Sequence, residues 1–210
     1  MKIKKKIIIW GSAGHGSSVL DLVKNNRYKE IVFIDEDIKA KKIQNQKLIS
    51  GKKNIKKFLE NKMVYNYSFT VAIGSSQIAR LKVFKKLKKI KCKLPVIIHT
   101  NSYISKSSKI KEGCQIFANV NIGPNTIINE NCIINNNSNV DHDCVIGHSV
   151  HIAPGAILCG EVKIGNNSLI GANSTILPRI KIGSNVIIGA GSVVTKNIPS
   201  NKIYYNNKFK

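Results

Sequence analysis

The chain has 210 residues, which is enough for one large domain or two small ones. Its 34 Lys and Arg residues outnumber 11 Asp and Glu residues, and the formal net charge is +23 at pH 7. No apolar run approaches the roughly 18 residues of a membrane-spanning helix, and the run from Ile7 to Trp10 is too short for a signal-peptide core, so we expect no membrane span.

The first half of the chain has the pattern of a small α/β domain with a parallel sheet. Short apolar runs alternate with helical patterns, and glycine-rich turns separate them. We predict strands at 3–10, 31–34, 69–73 and 94–98, and helices at 17–26, 54–61 and 77–89. Ser76 is predicted to cap the last helix. Residues 1–99 would then form a Rossmann-like domain, with 100–103 as a hinge.

A glycine turn, Gly11-Ser-Ala-Gly14-His15-Gly16, follows the first strand, and Asp35-Glu36-Asp37 follows the second. Backbone N–H groups at such a turn suit a phosphate, and the acidic cluster can accept hydrogen bonds from a ribose or a base. The pattern G-x-x-G-x-G differs from the dinucleotide fingerprint and favours a single nucleotide. A tight turn without a ligand is the alternative. A second turn, 74–76, would open on the same sheet edge.

From Ile104 to Val194, every sixth residue is Ile, Leu or Val, sixteen positions in all. A residue that is mostly small stands four places after each aliphatic, and glycine often stands one place after it. This period predicts a parallel β-helix with three units to each triangular coil, over residues 104–198. Gly and Asn are expected at corners that need a positive φ. Residues 199–210 would form a tail. A repeat protein that only binds or scaffolds is the alternative.

The positive charge does not favour a nucleic-acid partner, because the lysines are spread out and no zinc-finger, helix-turn-helix or RNA-binding motif accompanies them. We interpret the charge as mostly a solvated surface that would attract anionic small molecules. Three of the five cysteines (Cys114, Cys132 and Cys144) occupy the small inward position of the repeat, and no C-x-x-C pair occurs. They indicate reduced core residues in a cytoplasmic protein.

Three of the five histidines lie between His142 and His151. A zinc site is one interpretation, but His142 and His148 are six residues apart and would diverge on different faces, so we expect no metal. His142 stands between Asp141 and Asp143. A carboxylate that holds one ring nitrogen fixes the tautomer and raises the basicity of the other, which suits a general base. Exposed histidines without a function are the alternative.

Four motifs in two domains resemble one family: Gly-Ser-Ala-Gly-His-Gly at 11–16, Phe-Ile-Asp-Glu at 33–36, Ala-Ile-Gly at 72–74, and Val-Asp-His-Asp-Cys-Val-Ile-Gly at 140–147. They resemble the hexapeptide-repeat bacterial sugar acetyltransferases, whose β-helix is left-handed. These enzymes acetylate a nucleotide-linked 4-amino-4,6-dideoxy sugar, and sialic-acid O-acetyltransferases are relatives. The tail lacks the family's usual Gly-x-Pro-Ala-Lys segment, and some relatives carry Glu where Asp143 stands.

The resemblance implies a homotrimer that uses acetyl-CoA and no metal. It assigns His142 as the general base and Asp143 as the residue that orients it. For the remaining site residues it implies contacts with the nucleotide-sugar by Gly14, His15, Asp35, Glu36, Gly74 and Asn135, and with acetyl-CoA by His151, Gly160, Ala172 and Ala190. N-acetylation of a nucleotide-linked amino sugar is the first hypothesis, with a lean towards uridine from the Asp35-Glu36 pair. O-acetylation of a free sugar such as sialic acid is the alternative.

Overall fold

The computed structural model describes residues 5–205 and 208–209 and divides into two compact units. The first unit ends at Ile97 and the second begins at Ile98, close to the hinge predicted at 100–103. Across the part of the chain that is described, no helix combines the length and apolar character needed to cross a membrane. Each unit is described separately below.

The first unit is built on a four-stranded parallel sheet. Its strands are β1 (Lys6–Trp10), β2 (Glu30–Asp35), β3 (Lys47–Ser50) and β4 (Ser68–Val71), in the spatial order β3-β2-β1-β4. Its helices are α1 (Gly14–Asn25), α2 (Lys52–Leu59), a 3₁₀ helix (Lys62–Asn66) and α3 (Gln77–Lys89). Trp10 pairs with both Ile34 and Val71, so β1, β2 and β4 end at one sheet edge. The predicted α/β fold with a parallel sheet is confirmed.

Local sequence explains most of these elements. Ile7, Ile8 and Ile9 are fully buried, as expected for a central strand covered on both faces, which therefore reads as a continuous apolar run. The predicted cap of α3 is present, because Ser76 Oγ accepts a hydrogen bond from the Ala79 N–H at 3.2 Å.

The predicted elements before the repeat differ from the structure in several places. Strand β3 and the 3₁₀ helix lie in a segment where only a short helix was predicted. Strand β3 was missed because its apolar run, Leu48 and Ile49, is too short to indicate an edge strand. Helix α1 begins at Gly14 rather than Ser17, since Gly14-His15-Gly16 forms its first turn. The strand predicted at 94–98 is present only as β5 (Ile97–Ile98), and it belongs to the eight-stranded sheet of the repeat rather than to the four-stranded sheet of this unit.

The second unit is a left-handed parallel β-helix, as predicted. It contains sixteen strands of two residues, each ending on one of the periodic aliphatic residues. They are β6 (Tyr103–Ile104), β7 (Lys109–Ile110), β8 (Gln115–Ile116), β9 (Asn121–Ile122), β10 (Ile127–Ile128), β11 (Ile133–Ile134), β12 (Asn139–Val140), β13 (Val145–Ile146), β14 (His151–Ile152), β15 (Ile157–Leu158), β16 (Lys163–Ile164), β17 (Leu169–Ile170), β18 (Thr175–Ile176), β19 (Lys181–Ile182), β20 (Ile187–Ile188) and β21 (Val193–Val194). The aliphatics from Ile116 onward are all buried, and the first two, Ile104 and Ile110, are half-buried.

The coils stack in register every 18 residues and form a triangular prism. Val140, for example, pairs with Ile122 below and Leu158 above. We name the corners by the second residue after each aliphatic. Corner 1 holds positions 118, 136, 154, 172 and 190; corner 2 holds 106, 124, 142, 160, 178 and 196; corner 3 holds 112, 130, 148, 166 and 184. Sheet I joins corners 1 and 2 and contains β6, β9, β12, β15, β18 and β21. Sheet II joins corners 2 and 3 and contains β7, β10, β13, β16 and β19. Sheet III joins corners 3 and 1 and includes β5, β8, β11, β14, β17 and β20.

The glycines of the repeat have two different roles. From Ile110 to Ile188, the residue three places after each aliphatic has a positive φ, and half of these residues are Asn, as at Asn125 and Asn167. Gly113, Gly155 and Gly191 also have a positive φ at this position, so Gly and Asn stand at the corners as predicted, whereas the glycines one place after the aliphatic do not have a positive φ. They are needed for close stacking, because a β-carbon on Gly165 would lie 2.5 Å from the backbone of Gly183 in the next coil.

The C-terminal segment continues the prism instead of leaving it. Strand β22 (Ile203–Tyr205) pairs parallel with β20, and β23 (Lys208–Phe209) pairs antiparallel with β22, so both extend sheet III. Tyr204 is only 2% exposed. The atypical tail is therefore a structural part of the second unit.

Candidate active site

Corner 2 carries a histidine–aspartate pair. His142 Nδ1 lies 2.8 Å from Asp143 Oδ2, and the His142 backbone N–H donates to Asp141 Oδ1 at 2.7 Å. An ionised carboxylate only accepts hydrogen bonds, so Nδ1 carries the proton and Nε2 keeps its lone pair. The hydrogen bond to Asp143 is the main reason that the pKa of His142 lies above its usual value, and the charges of Asp141, Asp143 and Glu161 add to it. The predicted arrangement for a general base is present.

Gly160 lies directly above the His142 ring, in the next coil of corner 2. A β-carbon at this position would lie 2.5 Å from His142 Cε1 and closer still to Nε2. Gly160 is buried, whereas the His142 side chain is 47% exposed. The missing side chain thus leaves room for the imidazole. The family resemblance implied only that Gly160 contacts acetyl-CoA, and did not predict this second role.

Two further interactions surround the pair. Asn125, one coil below, donates its Nδ2 to Asp143 Oδ1 at 3.1 Å. Above the pair, Glu161 Oε1 forms an exposed ion pair with Arg179 Nε at 3.1 Å. Sequence reasoning missed all three residues. The 18-residue spacing of positions 125, 143, 161 and 179 was the available signal, because it stacks them on one corner.

The other predicted site residues of the β-helix lie elsewhere. His151 is on β14 in sheet III, which is the face opposite corner 2. Its Nε2 lies 3.3 Å from the Nδ2 of Asn135, at the end of the neighbouring strand β11. Ala172 and Ala190 stack on corner 1, at one edge of that same face. One chain therefore does not bring His142 together with Asn135 and His151.

Corner 3 carries a second histidine–carboxylate pair. His148 Nδ1 lies 2.8 Å from Glu130 Oε2, and the His148 side chain is 47% exposed, like that of His142. His148 therefore lies on a different corner from His142, as expected from the six-residue spacing. Among the described residues, no group of three or more His, Cys, Asp or Glu side chains could hold a metal ion.

The first unit contains a cavity of about 1030 Å³ at the carboxyl ends of the parallel strands β1, β2 and β4. Its wall includes the predicted residues Gly14, His15, Asp35, Glu36 and Gly74. Gly74 packs against the His15 ring, since a β-carbon there would lie 3.0 Å from His15 Cγ.

Four lysines also line this cavity, and sequence reasoning did not assign them to the site. Lys52 and Lys56 are one turn apart on α2, and Lys82 and Lys86 are one turn apart on α3. Lys86 Nζ lies 4.9 Å from the centre of the Trp10 ring. The lysines outnumber the two lining carboxylates, so the wall favours an anionic ligand.

Both carboxylate oxygens of Asp35 accept hydrogen bonds from other residues of the protein. Its Oδ2 accepts hydrogen bonds from the Ser12 N–H at 2.7 Å and the Ser12 hydroxyl at 2.9 Å, and its Oδ1 accepts from the Asp37 N–H at 3.0 Å. Asp35 thus supports the glycine turn, while the neighbouring Glu36 is exposed. Of the two carboxylates, Glu36 is the better placed to receive a ligand hydrogen bond.

Comparison with known proteins decides the family. Residues 6–87 match the model for the PglD N-terminal domain, and residues 107–142 and 161–196 match the bacterial transferase hexapeptide model of six repeats. The acetyltransferase domain of PglB from Neisseria gonorrhoeae is 31% identical, with 99% of each chain covered and a TM-score of 0.90. The chain belongs to the hexapeptide-repeat sugar acetyltransferases.

Two solved complexes show what members of this acetyltransferase family bind. The Neisseria gonorrhoeae domain was solved with acetyl coenzyme A; that structure is 30% identical to this chain, covers 99% of it and 98% of the relative, and has a TM-score of 0.88. PerB from Caulobacter crescentus was solved with CoA and GDP-perosamine; it is 26% identical, with 98% and 96% coverage and a TM-score of 0.88. The family that the four sequence motifs indicated is confirmed.

Proposed function

We propose that this acetyltransferase transfers the acetyl group of acetyl-CoA to the 4-amino group of a nucleotide-linked 4-amino-4,6-dideoxy sugar. The observation that carries the proposal is the His142–Asp143 pair, in which Nδ1 is held at 2.8 Å and Nε2 is left as the base. The acetyl-CoA and GDP-perosamine complexes of the relatives support this choice of substrates. The first unit binds the nucleotide-linked sugar, and the second carries the base.

In this reaction the sugar amine attacks the thioester carbonyl carbon while His142 Nε2 takes the amine proton. Asp143 stabilises the imidazolium that results. When the tetrahedral intermediate collapses, the carbon–sulfur bond breaks and the imidazolium returns its proton to the departing thiolate. The products are the N-acetylated sugar and free CoA thiol.

Backbone N–H groups at the corners are available to the acetyl donor. Within residues 5–205 and 208–209, the N–H groups of Gly160, Ala172 and Ala190 donate no hydrogen bond. A free N–H at Gly160, beside His142, suits the developing oxyanion. Those of Ala172 and Ala190, stacked on corner 1, suit the amide carbonyls of the pantetheine arm.

The separation of the site residues supports an oligomer. His142 and Gly160 lie on corner 2, whereas Asn135, His151, Ala172 and Ala190 lie on corner 1 or its adjoining face. A complete site would form where corner 2 of one copy meets corner 1 of another, which is a heterologous contact that can close into a ring. Sheet I, which joins these two corners, exposes Ile157 (41%) and Val193 (45%). We propose a homotrimer with one site at each junction.

The lysine-lined cavity favours a nucleotide-linked sugar over a free one. Its volume of about 1030 Å³ lies at the upper end of the range for ligand pockets, and is large for a single sugar ring. Lys52, Lys56, Lys82 and Lys86 suit a diphosphate, which carries two negative charges in a nucleotide-sugar. Glu36 suits the ribose or the base.

We place the reaction in the cytoplasm. Among the described residues, the five cysteines (Cys92, Cys114, Cys132, Cys144 and Cys159) form no disulfide, as is usual in a reducing compartment.

The test is a substrate panel in which release of CoA thiol is followed with acetyl-CoA present. UDP-, GDP- and dTDP-linked 4-amino sugars are compared with sialic acid. We expect thiol release with at least one nucleotide-linked amino sugar and loss of that activity in His142→Ala. His148→Ala is the matched control, because His148 has the same exposure and a carboxylate at the same distance, yet lies on corner 3. Release with sialic acid alone would overturn the proposal.

A further inference from the structure

The two carboxylate oxygens of Asp143 have different partners. Oδ2 accepts from His142 Nδ1 at 2.8 Å, and Oδ1 accepts from Asn125 Nδ2 at 3.1 Å. We infer that Asn125 is a positioning residue for the general base, because it holds the Asp143 carboxylate in the one orientation that fixes the His142 tautomer. This inference rests on the proposed role of His142.

Asp143 needs such a support because little else restrains its side chain. It stands at a corner with a φ of 56° and is exposed to solvent. Rotation of a carboxylate about its last torsion is broad and nearly two-fold, so it does not fix the direction of either oxygen. Water would also compete for both oxygens. A second hydrogen bond on Oδ1 removes this freedom.

Asn125 is itself held firmly. Its backbone has a φ of 58°, and its N–H donates to Ser107 Oγ at 3.0 Å. The Asp143 N–H donates to the carbonyl of Pro124 at 2.9 Å, which binds the two corner residues to each other through the backbone as well. The support is therefore built into the stacking of adjacent coils.

The chemistry of the pair requires a neutral donor at position 125. An ionised carboxylate accepts only, so the asparagine must turn its NH₂ group towards Asp143. Hydrogen bonds from His142 and then Asn125 hold the pKa of Asp143 below its usual value, which keeps it ionised. The other charges that act on His142 are Asp141 and Glu161, and Glu161 is paired with Arg179.

Corner 3 offers a matched control. Asn167 has a φ of 57° and donates its Nδ2 to Asn185 Oδ1, also 18 residues further on, at 3.2 Å. Its partner is neutral, and none of the predicted site residues lies on this corner. Asn125→Gly and Asn167→Gly thus each remove one asparagine hydrogen bond between adjacent coils, and glycine tolerates the positive φ at both positions.

The experiment measures the His142 tautomer by long-range ¹H–¹⁵N NMR on the full chain without substrate, together with steady-state kinetics and melting temperatures. We expect Asn125→Gly to lower the fraction of the Nδ1–H tautomer. We also expect it to reduce kcat about tenfold, which is less than the loss expected when a general base is removed, and to leave the KM values of both substrates unchanged. Asn125→Asp, which opposes two carboxylates, should reduce kcat further. Asn167→Gly and Asn167→Asp should change neither readout.

Two results would overturn the inference. One is a wild-type tautomer ratio in Asn125→Gly, whatever its kcat. The other is an equal loss of kcat in Asn125→Gly and Asn167→Gly, which would indicate a general loss of stability. If the wild-type protein acetylates no substrate of the panel, the proposed function fails, while the tautomer measurement still decides the role of Asn125.

Discussion

The buried Gly160 faces the imidazole of His142 so closely that a β-carbon would enter the ring. This relationship joins two residues that are 18 positions apart and lie in successive coils of corner 2. The absence of a side chain at Gly160 therefore determines where the His142 ring can lie.

We predict that Gly160→Ala displaces the His142 ring and lowers kcat about 100-fold, because general bases contribute factors of this size. The melting temperature should change little, since an exposed imidazole can move aside. Gly165→Ala is the control. Its β-carbon would meet the backbone of Gly183 at 2.5 Å, next to corner 3, where none of the predicted site residues lies. It should lower the melting temperature and leave kcat per folded protein unchanged. The opposite result, in which Gly160→Ala lowers only the melting temperature and Gly165→Ala lowers kcat, would contradict the positioning role of Gly160.

The pH dependence of kcat/KM should report the Asp143 hydrogen bond. His142 must be neutral to accept a proton, so activity is lost as the pH falls through its raised pKa. Asp143→Asn removes the largest cause of that shift and keeps a residue that tolerates the positive φ. We expect the acidic limb to move to lower pH, and the maximal rate to fall because the tautomer is no longer fixed.

Asp141→Asn provides the comparison for this profile. Asp141 raises the pKa of His142 only through its charge, with no hydrogen bond to the ring. The acidic limb should therefore move less than in Asp143→Asn. An acidic limb that stays in place in Asp143→Asn would show that another group controls it.

A composite site predicts complementation between inactive variants. His142→Ala damages corner 2 and His151→Ala damages the face next to corner 1. When the two proteins are mixed and refolded together, about a quarter of the junctions in random trimers should combine two intact sides. Activity should thus rise from near zero towards about a quarter of the wild-type value. No recovery in mixed trimers would show that a single chain forms the site.

The lysines of the first unit should control binding of the nucleotide. We predict that Lys56→Ala with Lys82→Ala weakens binding of a nucleoside diphosphate about tenfold or more, since each removes a charge beside the diphosphate. Calorimetry on the full chain measures this without catalysis. The control is Lys53→Ala with Lys85→Ala, which removes the same charge from exposed positions on α2 and α3 that do not line the cavity. Equal weakening in both pairs would indicate a long-range effect of net charge.

Some of the architecture follows from local sequence rules. The six-residue aliphatic period determines which side chains point inward, and it predicted the β-helix together with the burial of Ile116 to Val194. The apolar runs and glycine turns likewise predicted the parallel sheet. The edge strand β3 could not be predicted in this way, because its two apolar residues acquire a strand conformation only by pairing with β2.

The contacts of the candidate site also fall into those that the sequence predicts and those that depend on the tertiary structure. The sequence by itself determined that His142 stands beside Asp143, because adjacent residues at a tight corner are close in any fold of this repeat. Only the tertiary structure decided that Gly160 and Asn125 contact this pair, that Asp35 is engaged by Ser12, and that His151 lies on the opposite face. Those relationships depend on the stacking of coils 18 residues apart and on side-chain orientation, which neighbouring positions in the sequence do not specify.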